Sequence, residues 1–187
     1  MVSEIKNIIE VLEKARKALK QEDVIAIKDL SNRTIHSSSI GQDPDNINIA
    51  VILYALSKIL ERTRYREMTG WDKFEKTYTD SLENALKALK KNNIELYRSQ
   101  IDRIKEAVNN LSGHLKIYIE AVFRKAEINK ASRIYEHGIS REVAAKILGI
   151  SIWELNEYVG RTGIADVDLA YTLDIRQRIK NAEGIFK

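Results

Sequence analysis

Apolar residues recur at three- and four-residue intervals along almost the whole chain, and nowhere do they alternate as a half-buried β-strand requires. Ile5, Ile8, Ile9, Leu12, Ala15 and Leu19 form one such stripe behind Ser3, a natural N-cap, and predict a first helix over about 3–20. Val24, Ile27, Leu30 and Ile35 predict a second, weakening in the polar run 34–39. Asp43-Pro44-Asp45 reads as a helix start, because Asp43 can cap it and Pro44 lacks only an N–H that would go unused in a first turn. The third helix, 46 to about 66, is apolar nearly all round in its first half and is expected at the centre of a bundle.

Trp71, Phe74, Leu82, Leu86 and Leu89 mark a fourth helix ending near Asn92-Asn93. Ile94, Tyr97, Ile101, Ile104 and Val108 mark a fifth that runs to Leu111. The sixth extends from His114 to about His137, with Gly138 placed as a C-cap. Asp166 can cap a last amphipathic helix holding Val167, Leu169, Leu173 and Ile179. The expected fold class is therefore all-α: an N-terminal helical bundle, a long helix, a helix-turn-helix and a terminal helix. Ser112-Gly113 divides it into 1–112 and 113–187.

Composition narrows the function classes. A chain 44% hydrophobic and 31% charged folds as a globular protein rather than staying disordered. The net charge of +4 divides evenly about Ser112, so neither half is an electrostatic arm. The absence of cysteine removes disulfides, thiolate metal sites and cysteine nucleophiles. Charges interrupt every apolar run well short of a membrane span, which makes cytoplasm the expected location and a membrane partner unexpected. A single proline, abundant isoleucine and many Lys and Glu residues are a thermophile's composition.

The sharpest local pattern is GISREVAAKILGISIWELNEYVG, residues 138–160. Ser140 can cap a short helix with Val143, Ala144, Ile147 and Leu148 inward. Ala145 is small where two helices cross closely. Gly149, four residues on, allows a tight turn, and Leu155, six further, plugs the space between the helices. Ser151 and Glu154 form a capping box that sets the start of the second helix. This spacing predicts a helix-turn-helix. Ser151, Ile152, Trp153, Asn156 and Glu157 are the candidate outer face, where Asn156 could pair with adenine and Ile152 could meet a thymine methyl. Arg141, Lys146 and Arg161 are the candidate phosphate contacts. Glu154 and Glu157 oppose phosphate attraction.

The stretch 133–164, RIYEHGISREVAAKILGISIWELNEYVGRTGI, resembles the helix-turn-helix of small prokaryotic antitoxin-like proteins. These share the Gly-Ile-Ser turn, an Ala-rich helix and a Trp-Glu second helix. That likeness covers about a sixth of the chain and implies a DNA-binding or regulatory module. Together with HSSSIGQDPDNINIAVILYALSKIL upstream, the pattern resembles archaeal helical proteins without an assigned biochemical role.

Other polar groupings have plainer explanations. The cluster around His36, from Arg33 through Asp45, fits a helix-capping loop as well as a nucleotide contact. Lys58, Arg62, Arg64 and Arg66 complement a helix C-terminus. Arg124, Lys125, Lys130 and Arg133 lead into the motif and could serve either fold or function. An Arg-x4–6-His ribonuclease spacing is absent, since Arg33–His36 and Arg133–His137 are both too short. Three histidines far apart in sequence make a poor metal site, and no phosphate loop, nucleophile elbow or H-E-x-x-H occurs. No enzyme and no cofactor is expected.

Two readings follow: a DNA-binding transcriptional regulator, working as a homodimer on double-stranded DNA, and a protein-interaction or toxin–antitoxin type module that binds a partner chain. Trp153 separates them. Buried in basic surroundings it favours DNA, whereas an exposed Trp153–Ile152 patch favours a protein.

Overall fold

The computed structural model describes residues 2–39 and 43–162. These residues form eight α-helices and one 3₁₀ turn, with no strand among them. The helices are α1 (Val2–Lys20), α2 (Val24–Ser39), α3 (Pro44–Leu60), α4 (Trp71–Lys90), α5 (Ile94–Asn109), α6 (Gly113–Glu136), α7 (Arg141–Leu148) and α8 (Ile152–Thr162). The terminal helix expected from Asp166 lies outside the described residues. None of the described helices is long and apolar enough to cross a membrane.

α3 occupies the centre, as its all-round apolar sequence requires. Ile47, Ile49, Ala50, Val51, Ile52, Leu53, Ala55, Leu56, Ile59 and Leu60 are all buried. Its start follows the local chemistry: Asp43 accepts from the Asp45 backbone N–H, and Pro44 sits in the first turn. It stops at Leu60 rather than near 66, and the 3₁₀ turn Thr63–Glu67 follows. The cause is Tyr65, which is buried against the core and lies beneath the guanidinium groups of Arg62 and Arg64. A continued α-helix would swing Tyr65 away from that position. Lys58 pairs with Glu61, and Arg66 reaches back to Glu22, so this cationic cluster closes the helix and ties it to the α1–α2 turn.

α2 runs through the polar stretch to Ser39. At the start of that stretch the buried Thr34 hydroxyl donates to the Leu30 carbonyl, and just before it Ser31 donates to the carbonyl of Ala50 on α3. These hydroxyls are satisfied inside the helix packing, which removes the reason for the helix to end early.

Two apolar clusters hold the molecule. The larger unites α1 to α5 with the first half of α6, through Leu115, Ile119, Val122 and Ala126. The smaller unites Ala131, Ile134 and Tyr135 of α6 with Ala144, Ala145, Ile150, Leu155 and Val159, and includes Ile35, Ile47 and Ala50. α6 is thus the shared beam, one half in the bundle and the other under α7 and α8.

Candidate functional site: the helix-turn-helix

α6 ends at Gly138, whose φ of 87° turns the chain back. Ser140 then caps α7 by accepting from the Val143 N–H at 3.3 Å. Gly149 terminates α7 in the left-handed region at φ 62°. The capping box forms in full: the Ser151 N–H donates to Glu154 Oε2 at 2.9 Å, and the Glu154 N–H donates to Ser151 Oγ at 3.2 Å. Ala145 is buried at the crossing, and Leu155 is 0% exposed between the helices. Val143 departs from the expectation of an inward position: it is 39% exposed. α7 buries the Ala144–Ala145 edge of its surface, which turns Val143 toward solvent.

Arg124 of α6 locks this unit. Its guanidinium donates to Glu154 Oε1 at 2.8 Å and Oε2 at 2.7 Å, to Glu127 at 3.0 Å and to the Gly149 carbonyl at 3.2 Å. The Arg124 hydrogen bonds, followed by those from Ser151, hold the Glu154 carboxyl down to about 2. Glu154, expected to repel phosphate, is instead neutralised locally and built into the scaffold. Arg124 lies 30 positions from Glu154, so no spacing rule in the sequence pairs them.

Arg141 also serves the scaffold. Its guanidinium stacks 4.8 Å from the Tyr135 ring centroid and donates to the Tyr135 hydroxyl at 3.1 Å and to Asn156 Oδ1 at 3.2 Å. Arg141 and Asn156, expected on phosphate and base, thus meet each other across α7 and α8, both half-buried. The Ser151 hydroxyl donates to Glu154 at 2.7 Å, and Ile152 is half-buried. Glu157 and Arg161 form an exposed pair at 2.6 Å. Lys146 is exposed. Trp153 is 79% exposed, the largest exposure among the described bulky apolar residues.

Behind α8 lies a polar layer that sequence reading did not find. Asn129 donates to the Tyr158 hydroxyl at 2.9 Å. The neighbouring Lys130, 0% exposed, places its Nζ 4.4 Å from the Tyr54 ring centroid and donates to Asn32 Oδ1 at 2.9 Å. Burial, reinforced by the charges of Arg133 and Lys28, pushes its amine down to about 7.

The arrangement offers an outward helix face with one bare indole and a fixed backbone. Across 140–162, Arg141, Lys146 and Arg161 are balanced by Glu142, Glu154 and Glu157, so the unit carries no net charge. Among the described residues no group of three or more His, Cys, Asp or Glu is placed to hold a metal ion. No known protein family, curated protein or solved structure matches the chain.

Proposed function

We propose that this chain is a cytoplasmic regulatory protein whose helix-turn-helix docks onto a partner protein, with Trp153 entering an apolar socket on that partner. The observation that carries the reading is the 79% exposure of Trp153 on a helix where Leu155 and Val159 are buried and Ile152 is half-buried. A bare indole is a large apolar area held at little entropic cost, and tryptophan is enriched at the energetic centres of protein interfaces. The charge balance of the unit supports the same reading, since phosphate attraction supplies most nonspecific DNA affinity. The likeness of 133–164 to antitoxin-like modules accords with a partner chain, and the reading assigns the protein no catalysis of its own.

Duplex DNA is the second reading, favoured by one observation: both carboxylates of α8 that would repel phosphate are paired, Glu154 with Arg124 and Glu157 with Arg161. In that case a homodimer would present Ser151, Ile152, Trp153 and Asn156 to base edges, with Lys146 on the backbone.

One experiment with two arms decides. Random duplex DNA is titrated at rising salt with wild type, Trp153→Ala and the triple variant Arg141→Ala, Lys146→Ala, Arg161→Ala. In parallel, wild type and Trp153→Ala are used to capture partners from host lysate, and the captured protein is purified and rebound. Docking requires a partner whose purified complex is lost with Trp153→Ala, and no steep salt slope on DNA. A steep slope that the triple variant abolishes overturns it in favour of DNA.

A further inference from the structure

The fold brings together two of the chain's three histidines, which lie 101 residues apart in sequence. His36 Nδ1 and His137 Nε2 face each other at 3.0 Å, with ring centroids 4.5 Å apart and planes inclined at 64°. His36 stands near the end of α2, and His137 is the C-cap of α6, directly before Gly138 where the helix-turn-helix begins. Both side chains reach solvent.

From this convergence we propose that His36 and His137 form a two-imidazole site for an exchangeable late first-row divalent cation of the Zn²⁺, Ni²⁺ or Cu²⁺ class. Two metal–nitrogen bonds of about 2.0–2.1 Å, at angles between square-planar and tetrahedral, separate their nitrogens by roughly 2.8–3.4 Å. The observed 3.0 Å falls inside that window. Each ring binds neutral, with its proton on the nitrogen that faces away: Nε2 of His36 and Nδ1 of His137.

Two charges of α6 act on His137. Glu136 attracts a cation and Arg133 repels one, and these two are themselves paired at 2.6 Å. No third His, Cys, Asp or Glu joins the two rings among the described residues. A site with two protein ligands would leave the remaining coordination positions to water, which makes the ion exchangeable rather than structural. An ion held here staples the last turn of α2 to the C-cap of α6 and so ties the bundle to the root of the helix-turn-helix.

The test uses tag-free full-length protein, titrated calorimetrically at neutral pH with ZnCl₂ and with NiCl₂ and melted with and without each salt. The expected result is saturable uptake of about one ion per chain with a raised Tm. His36→Ala and His137→Ala should each weaken binding by about tenfold or more, and His114→Ala should leave it unchanged. Both rings are exposed, so the variants keep the fold, and circular dichroism verifies this. Absence of saturable uptake of either ion, or uptake that both variants retain, overturns the proposal.

Discussion

Arg124 and Glu154 form a two-pronged ion pair, Nε to Oε1 at 2.8 Å and Nη2 to Oε2 at 2.7 Å, between the long α6 and the first turn of α8. The same carboxylate closes the Ser151 capping box, and the same guanidinium reaches the Gly149 carbonyl in the turn. One contact therefore fixes the turn, the start of α8 and its angle to α6.

Removing either partner should loosen α8 without unfolding the bundle. In Arg124→Ala and Glu154→Ala, amide exchange from Ile152 to Leu155 should accelerate several-fold while α3 amides keep their protection. A double-mutant cycle should show strong coupling between the two positions. The pH dependence has a definite sign. A carboxyl held down to about 2 contributes stability that is fully present above its ordinary value of 4.5 and is lost as pH falls toward 2. The Tm difference between wild type and Arg124→Ala should therefore shrink through that acid window.

Lys130 predicts the opposite limb. Its amine titrates near 7 in the fold and near 10.5 when unfolded, so between these values the unfolded chain binds the extra proton. Stability should rise with pH across that interval and level off beyond it. Lys130→Met, of similar length and without the buried amine, should abolish this slope. At pH 7 it should match or exceed wild type by roughly 1–2 kcal/mol, in the direction seen when buried charges give way to apolar residues. Chemical denaturation at pH 6, 8 and 10 checks both statements.

The turn can be tested at two of its defining positions. A Cβ on Gly149 would meet nothing within 4 Å, so Gly149→Ala should cost only the left-handed backbone strain, about 1–2 kcal/mol at φ 62°. Leu155, enclosed in the smaller cluster, should lose about 2–5 kcal/mol as Leu155→Ala. Equal costs at the two sites, read by urea denaturation, would contradict this division between strain and packing.

Trp153 should behave as an interface residue with no structural duty. The chain holds two tryptophans, and Trp71 is 3% exposed. Iodide should quench one emission component and spare the other, and Trp153→Ala should remove the quenched component. That substitution should leave Tm within about a degree or two of wild type, as surface changes usually do.

What the sequence decided by itself is whatever depends on local periodicity and on backbone chemistry within a few residues. The 3.6-residue stripes gave the helices, Asp43-Pro44 gave the start of α3, and Ser140, Gly149, Ser151 and Glu154 gave the turn and its caps. Tertiary structure decided the uses of side chains that meet across long separations. Arg141 and Asn156, read as phosphate and base contacts, are drawn onto each other and Tyr135 because α7 and α8 cross there. Lys130 is stripped of water because α2, α3 and α6 close over it, and His36 finds His137 because α2 ends beside the cap of α6. Hydrogen bonds and desolvation act over a few ångströms of space, and sequence spacing stops reporting on that space once the chain leaves its own helix.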